Sequence, residues 1–153
     1  MFVGLRRNLA MLFGRRPPRM QVGALCVRGT RGERQVLMIT SRGTGRWIIP
    51  KGWPMKGRGL AEAAAQEAWE EAGVRGDVAA TEIGRYHYGK AQDAGFSVPC
   101  EVRVFLLTVD DLATDFPETS ERRRKWFAPD EAAKLVAEPE LAALLQQLNR
   151  DRI

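Results

Sequence analysis

Histidine and cysteine are scarce in this sequence: one histidine, His87, and two cysteines, Cys26 and Cys100. The two cysteines are far apart and form no C-x-x-C pair, which removes the usual sequence-local redox and zinc motifs. Both read as reduced, buried thiols of a cytosolic protein. His87, in "RYHYG", has no identified partner along the chain and reads as a packed or solvent-facing strand residue rather than a catalytic one. No run approaches the roughly eighteen consecutive apolar residues of a membrane span, so none is expected. There is no internal repeat and no low-complexity tract. Acidic side chains are missing altogether from residues 1–20, "MFVGLRRNLAMLFGRRPPRM".

What is present suits one globular domain with a sizeable core: 153 residues, 44% hydrophobic and 28% charged. The net charge of +5 belongs to the acid-free segment, which carries Arg6, Arg7, Arg15, Arg16 and Arg19. Without those five arginines, 19 basic side chains face 19 acidic ones. Residues 1–19 are therefore read as a basic extension and residues 20–153 as the domain. Phe2, Leu5, Leu9, Leu12 and Phe13 recur at roughly helical spacing. The extension is expected to be frayed or docked on the body, with contact to an anionic surface as the alternative. It lacks a secretory cleavage pattern. A cytoplasmic location is expected, and nucleic acid is not expected as a partner. Oligomeric state is not legible.

Beyond Pro17-Pro18, "QVGALCVRG" and "RQVLMITSRG" flank the turn "GTRGE" and predict a hairpin. "RWIIP" predicts a third short strand stopped by Pro50. Leu60 to Ala72 holds no glycine or proline and predicts a helix closed by Gly73. "VAATEIGRYHYG" and "FSVPCEVRVFLLTVD" predict two longer strands joined by a "KAQDAG" loop. Asp110 to Glu121 reads as loop, and "RRKWFAP" as a last strand. "PDEAAKLV" and "PELAALLQQL", each opened by proline, predict terminal helices. The order β-β-β-α-β-β-β-α-α implies an α/β chain with a mixed sheet flanked by helices.

Within the first helix, Glu67, Glu70 and Glu71 fall in about a 100° arc of one face. Like charges at these spacings cost roughly 0.2 to 0.5 kcal/mol per pair. No basic residue stands one turn away inside the helix, and Glu70 and Glu71 occupy its negative dipole end. Ala63, Ala64 and Ala68 lie on nearly the same side, so this face approaches other protein. A cluster of pressed-in carboxylates suits a divalent cation, and oxygen ligands alone suit Mg²⁺ or Mn²⁺. The preceding loop, "PKGWPMKGRG", adds glycines that let backbone approach a ligand and the cations Lys51, Lys56 and Arg58, which suit phosphate. Acidic ligands beside a cationic loop are what metal-assisted phosphoanhydride hydrolysis needs. A solvated acidic face is the plainer alternative.

From Gly52 to Val74 the sequence resembles the Nudix hydrolase signature, G-x(5)-E-x(7)-R-E-U-x-E-E-x-G-U with U aliphatic. Gly52, Glu67, Ala68, Glu70, Glu71, Gly73 and Val74 stand in register. Arg58 replaces the first Glu and Gln66 replaces the Arg. These positions are expected to support each other in the family, so their joint replacement reads as a coupled change. The resemblance implies an α/β/α sandwich with a mixed sheet and a catalytic helix after the Gly-rich loop. It implies metal ligation by Glu67 and Glu71, with the Gly52 carbonyl as a further ligand, and a general-base or ligand role for Glu70. Lys51, Lys56 and Arg58 are expected to bind substrate phosphates. "RWIIPKGW" and "RRRKWF" are most similar to the diphosphoinositol polyphosphate and diadenosine polyphosphate branch. The implied activity is Mg²⁺-dependent pyrophosphohydrolysis of a small, highly phosphorylated molecule. The alternative is a non-catalytic module of the same fold that binds a nucleotide or nucleic acid. Arg85, Tyr86 and Tyr88 are candidates for a substrate groove, Trp53 for stacking on a base, and Glu118 or Glu121 for an extra acid.

Overall fold

A computed structural model describes residues 17–91 and 95–153. The expected basic extension therefore lies outside the described residues up to position 16. Arg19, assigned to that extension by its charge, is instead the first residue of a strand. β1 (Arg19–Arg28) and β2 (Gln35–Thr40) form the expected hairpin, joined in register at Val27 and Val36. β3 (Trp47–Ile48) follows, and then β4 (Lys51–Gly52), where the sequence predicts loop. Pro50 ends β3 as expected, but β4 pairs with β1, Val22 opposite Gly52. Pairing with a distant strand overrides the local stop signal.

α1 (Leu60–Ala72) has the bounds expected of it. β5 (Val74–Ala91) and β6 (Ser97–Leu112) form the long hairpin. β7 (Arg124–Phe127), α2 (Pro129–Leu135) and α3 (Pro139–Asn149) complete the chain. β5 and β6 begin or end several residues beyond the expected strands, because their ladder runs from Val74–Leu112 to Ala91–Ser97 with bulges that absorb mismatched stretches.

Among the described residues, seven strands form one sheet in the order β3-β2-β1-β6-β5, with β4 on β1 and β7 on β2. β1 and β6 are parallel, Val22 opposite Arg103, and the other pairs are antiparallel. The sheet is therefore mixed. β1 carries no polar side chain from Val22 to Val27 because both its faces are covered there. Val22, Ala24 and Cys26 pack with Ala63, Ala64, Ala68 and Ala72 of α1. Leu25 and Val27 pack on the other side with Leu141, Leu144, Leu145 and Leu148 of α3. The alanine face of α1 lets the helix lie close to the sheet, and this sets its carboxylates against β4. Both cysteines are buried free thiols, and burial pushes Cys26 far above its ordinary value. Among the described residues, no helix is long and apolar enough to cross a membrane.

Candidate active site

The carboxylates of α1 are positioned by how the helix ends. Gly73 adopts a left-handed conformation with φ 67°, and its N–H donates to the Ala68 and Trp69 carbonyls. A side chain there would strike Phe116 and Arg124. The last turn holds no basic residue. Compensation comes from across the sheet, where Arg124 Nη1 donates to the Ala72 carbonyl at 2.7 Å. The loop before β7 is tied to the helix by the Glu118 N–H, which donates to the Glu70 carbonyl at 2.9 Å.

Arg122, in that same loop, is the partner the helix lacks. Its side chain is 8% exposed, and Nη2 lies 3.6 Å from Glu71 Oε1. Nε donates to Glu118 Oε1 at 3.0 Å and Nη1 to the Thr40 carbonyl at 3.0 Å. Local reading of the helix missed it, because the signal sits in "ERRRKWF", fifty residues downstream. Only the pairing of β7 with β2 brings it back.

Glu71 is buried, and its Oε1 accepts from the Lys51 backbone N–H at 3.4 Å. Burial, joined by a hydrogen bond with Glu67, pushes its carboxyl from 4.5 up to about 8, against the pull of Arg122 and Lys51. Burial also raises Glu67, with Glu70 and Glu118 adding to the rise and the hydrogen bond to Glu71 opposing it. Pressed together in this way, the pair favours holding one proton between them when no cation is bound. Gly52 faces them: a side chain at position 52 would overlap the Glu67 carboxylate. Glu67, Glu71 and Gly52 are brought together, as the resemblance implies.

Other expectations are redistributed. Glu67, Glu71 and Gly52 line a cavity of about 420 Å³, together with Lys51, Arg42, Arg46, Lys90, Trp53, Tyr88, Gln21, Glu118, Arg122 and Glu138. Glu70, Lys56 and Arg58 are not among its lining residues. Arg58 Nη1 donates to Gln66 Oε1 at 3.1 Å, and Gln66 Nε2 donates to Glu70 Oε1 at 3.2 Å. The two replaced signature positions therefore support each other directly, and they turn Glu70 toward Gln66. Arg58 steadies the helix surface rather than facing the cavity, and Lys56 is exposed on the loop.

Lys51 is mostly buried, with its ammonium 4.7 Å from the centre of the Tyr88 ring. Burial lowers its pKa, and Glu71 opposes that shift. Of "RYHYG", only Tyr88 and Gly89 reach the cavity. Arg85 pairs with Glu82 at 2.9 Å, Tyr86 is in the core, and His87 lies between Glu101 and Glu140, each at 3.0 Å. Glu118 lines the cavity, while Glu121 pairs with Arg42 at 3.7 Å and does not.

Among the described residues, no three His, Cys, Asp or Glu side chains converge into a ready metal cage. Two carboxylates and a glycine backbone nevertheless suit Mg²⁺, which keeps several waters and takes substrate phosphates as its remaining ligands. A divalent cation would replace the proton that Glu67 and Glu71 share.

The profile of the NUDIX domain matches residues 17–148. The chain belongs to the Nudix family. Among curated Nudix relatives it is 36% identical over 108 residues to "Nudix hydrolase 16, mitochondrial" of Arabidopsis thaliana, covering 69% of this chain and 59% of that protein. It is 31% identical over 134 residues to diphosphoinositol polyphosphate phosphohydrolase 3-beta of Bos taurus, covering 84% of this chain and 76% of that protein. The first of these relatives is thus longer than the part matched here. In fold the chain resembles the C. elegans Ap4A hydrolase, with a TM-score of 0.69 at 20% identity over 90% of this chain and 100% of the other. It also resembles the E. coli dihydroneopterin triphosphate pyrophosphohydrolase, with a TM-score of 0.65 at 16% identity over 86% and 95% of the two chains.

Proposed function

We propose that this Nudix protein is a divalent-cation-dependent pyrophosphohydrolase that cleaves a phosphoanhydride bond in a substrate carrying several phosphates. The observation that carries the reading is the placement of Glu67 and Glu71 against Gly52 in a cavity also lined by Arg42, Arg46 and Lys90. Mg²⁺ or Mn²⁺ held by Glu67, Glu71 and the Gly52 carbonyl would neutralise phosphate oxygens and polarise phosphorus. Water oxygen bonds to one phosphorus as the bridging P–O bond breaks, and the departing phosphate keeps the bridging oxygen. The water's proton passes to a carboxylate. The family resemblance assigns that role to Glu70, while Glu118 is the carboxylate already on the cavity wall. Arg122 balances Glu71 and Glu118, and Lys51 with the rim arginines receives the phosphate chain.

The named activity of the Bos taurus relative supports a highly phosphorylated substrate. The test is turnover of dinucleoside polyphosphates, diphosphoinositol polyphosphates and nucleoside diphosphate sugars, with Mg²⁺ and with chelator. Mg²⁺-dependent release of phosphorylated products is expected, with Glu67→Gln and Glu71→Gln each losing at least about a hundredfold. Glu70→Gln and Glu118→Gln, compared side by side, assign the proton acceptor. Binding without turnover of any phosphoanhydride would replace this reading with the non-catalytic module.

A further inference from the structure

Glu138 is a charged cavity residue that the hydrolytic reading leaves without a task. It precedes Pro139 at the start of α3, where a side-chain oxygen usually accepts from the first-turn amides. Glu138 makes no such bond. The residue is 8% exposed, and Oε2 is buried with no hydrogen-bond partner among the described residues. A buried carboxylate oxygen without a donor is disfavoured in a folded protein, so it marks a place where a donor is expected to arrive. The same side chain lines the cavity that holds Glu67 and Glu71.

The chemistry of that donor is restricted. An ionised carboxylate only accepts hydrogen bonds. A phosphate group there would set two anions together in a desolvated space, so this wall does not suit the phosphate chain. It suits an N–H or O–H of the part of the substrate that is not phosphate. The Tyr88 hydroxyl is engaged with Gln21 Oε1, and Lys51, whose charge Glu138 feels, makes no hydrogen bond to Oε2. Trp53, 39% exposed, is also part of the cavity wall and has Lys90 Nζ 5.5 Å from its ring centre. It offers a flat apolar surface to a base. A ring phosphorylated at every hydroxyl has no such donor to give, whereas a nucleoside has both an exocyclic amine and ribose hydroxyls.

Resting on the hydrolase reading, we propose that Glu138 is a specificity-determining residue that accepts a hydrogen bond from the nucleoside of a nucleoside-bearing polyphosphate substrate. The cavity is then divided, with phosphates at the Glu67–Glu71 end and the nucleoside against Glu138 and Trp53.

The test compares wild type, Glu138→Gln and Glu138→Ala on diadenosine tetraphosphate and on a diphosphoinositol polyphosphate, all with Mg²⁺. With the nucleotide, Glu138→Ala should lose roughly ten- to hundredfold in kcat/KM, mostly through KM, and Glu138→Gln less, since its amide oxygen still accepts. With the inositol substrate both variants should gain, because a negative charge facing a polyanion is gone. The diinosine analogue, which lacks the amine, and the 2′-deoxy analogue then locate the donor. The analogue that lacks the donor will be a poor substrate for wild type and insensitive to Glu138→Ala.

Equal losses on both substrates, or a wild-type response to the nucleotide that Glu138→Ala does not alter, would overturn the proposal. The second outcome would mean that solvent satisfies Oε2. Thermal melts of the variants separate misfolding from lost contact, with Glu138→Gln as the near-isosteric control. No wild-type turnover of either substrate or of the wider phosphoanhydride panel would refute the hydrolase reading instead.

Discussion

Glu71 concentrates the chemistry of the site in one titration. Its carboxyl ordinarily titrates at 4.5 and is pushed up to about 8 by burial and by its hydrogen bond with Glu67. The folded state therefore holds a proton that the unfolded chain releases, and stability falls as pH rises between these values. That contribution is fully present below pH 4.5 and lost by about pH 8. In chelator, the melting temperature should drop across this interval by on the order of 5 °C. Mg²⁺ should restore more at pH 8 than at pH 5, because the cation competes with the shared proton. Glu71→Gln should flatten both the pH slope and the Mg²⁺ response. Melts in paired Mg²⁺ and chelator buffers check this, and a wild-type slope of opposite sign would remove the shared proton. The strain at Glu71 was legible in sequence, since three carboxylates share one helix face with no local cation. Its partner Arg122 was not, because the contact depends on sheet order. Glu138 also escaped, since an acid before a helix-opening proline reads as surface until its burial is seen.

At the scale of elements, local pattern served where local forces decide. α1 was legible to its ends because alanine and glutamate favour helix throughout and Gly73 supplies the left-handed stop. The two terminal helices were legible from Pro129 and Pro139. β4 was not, since two residues after a proline form a strand only because β1 is already there. The bulged ends of β5 and β6 were equally hidden, being settled by each other. Gly73 joins the two kinds of information. Its φ of 67° is local, while Phe116 and Arg124, which close the space where a side chain would go, arrive from distant segments. Gly73→Ala should therefore cost roughly 2 to 3 kcal/mol, combining left-handed backbone strain with an overpacked contact. Denaturant unfolding should show the midpoint moving with an unchanged m-value. A cost below about 1 kcal/mol would mean that the loop bearing Phe116 yields easily. The anchoring of Glu70 through that loop would then be weak.

Across the whole molecule, charge is sorted between the extension and the cavity rather than spread evenly. The domain's near balance of acids and bases hides a local excess of cations at the cavity, where Arg42, Arg46, Lys51, Lys90 and Arg122 meet Glu67, Glu71, Glu118 and Glu138. Arg122 is already engaged with Glu118 and Glu71, and a bound divalent cation would offset Glu67 and Glu71. Of the remaining positive groups on the rim, Arg46 and Lys90 face the cavity, and Arg42, 3.7 Å from both Glu118 and Glu121, must exchange those partners for a polyanion. Arg42 is 59% exposed at its side chain, so its attraction is screened over a Debye length of about 8 Å at physiological salt. Each further phosphate should add a salt-sensitive contact worth a few tenths to about 1 kcal/mol. For a series of dinucleoside polyphosphates of rising phosphate number, kcat/KM should climb at low salt and the advantage should shrink as salt rises. Arg42→Ala combined with Arg46→Ala should flatten that salt dependence while leaving the Mg²⁺ requirement in place, since neither side chain belongs to the Glu67–Glu71 pair. Steady-state kinetics between about 20 and 300 mM salt decides the matter. A salt slope independent of phosphate number would place the phosphate chain away from this rim.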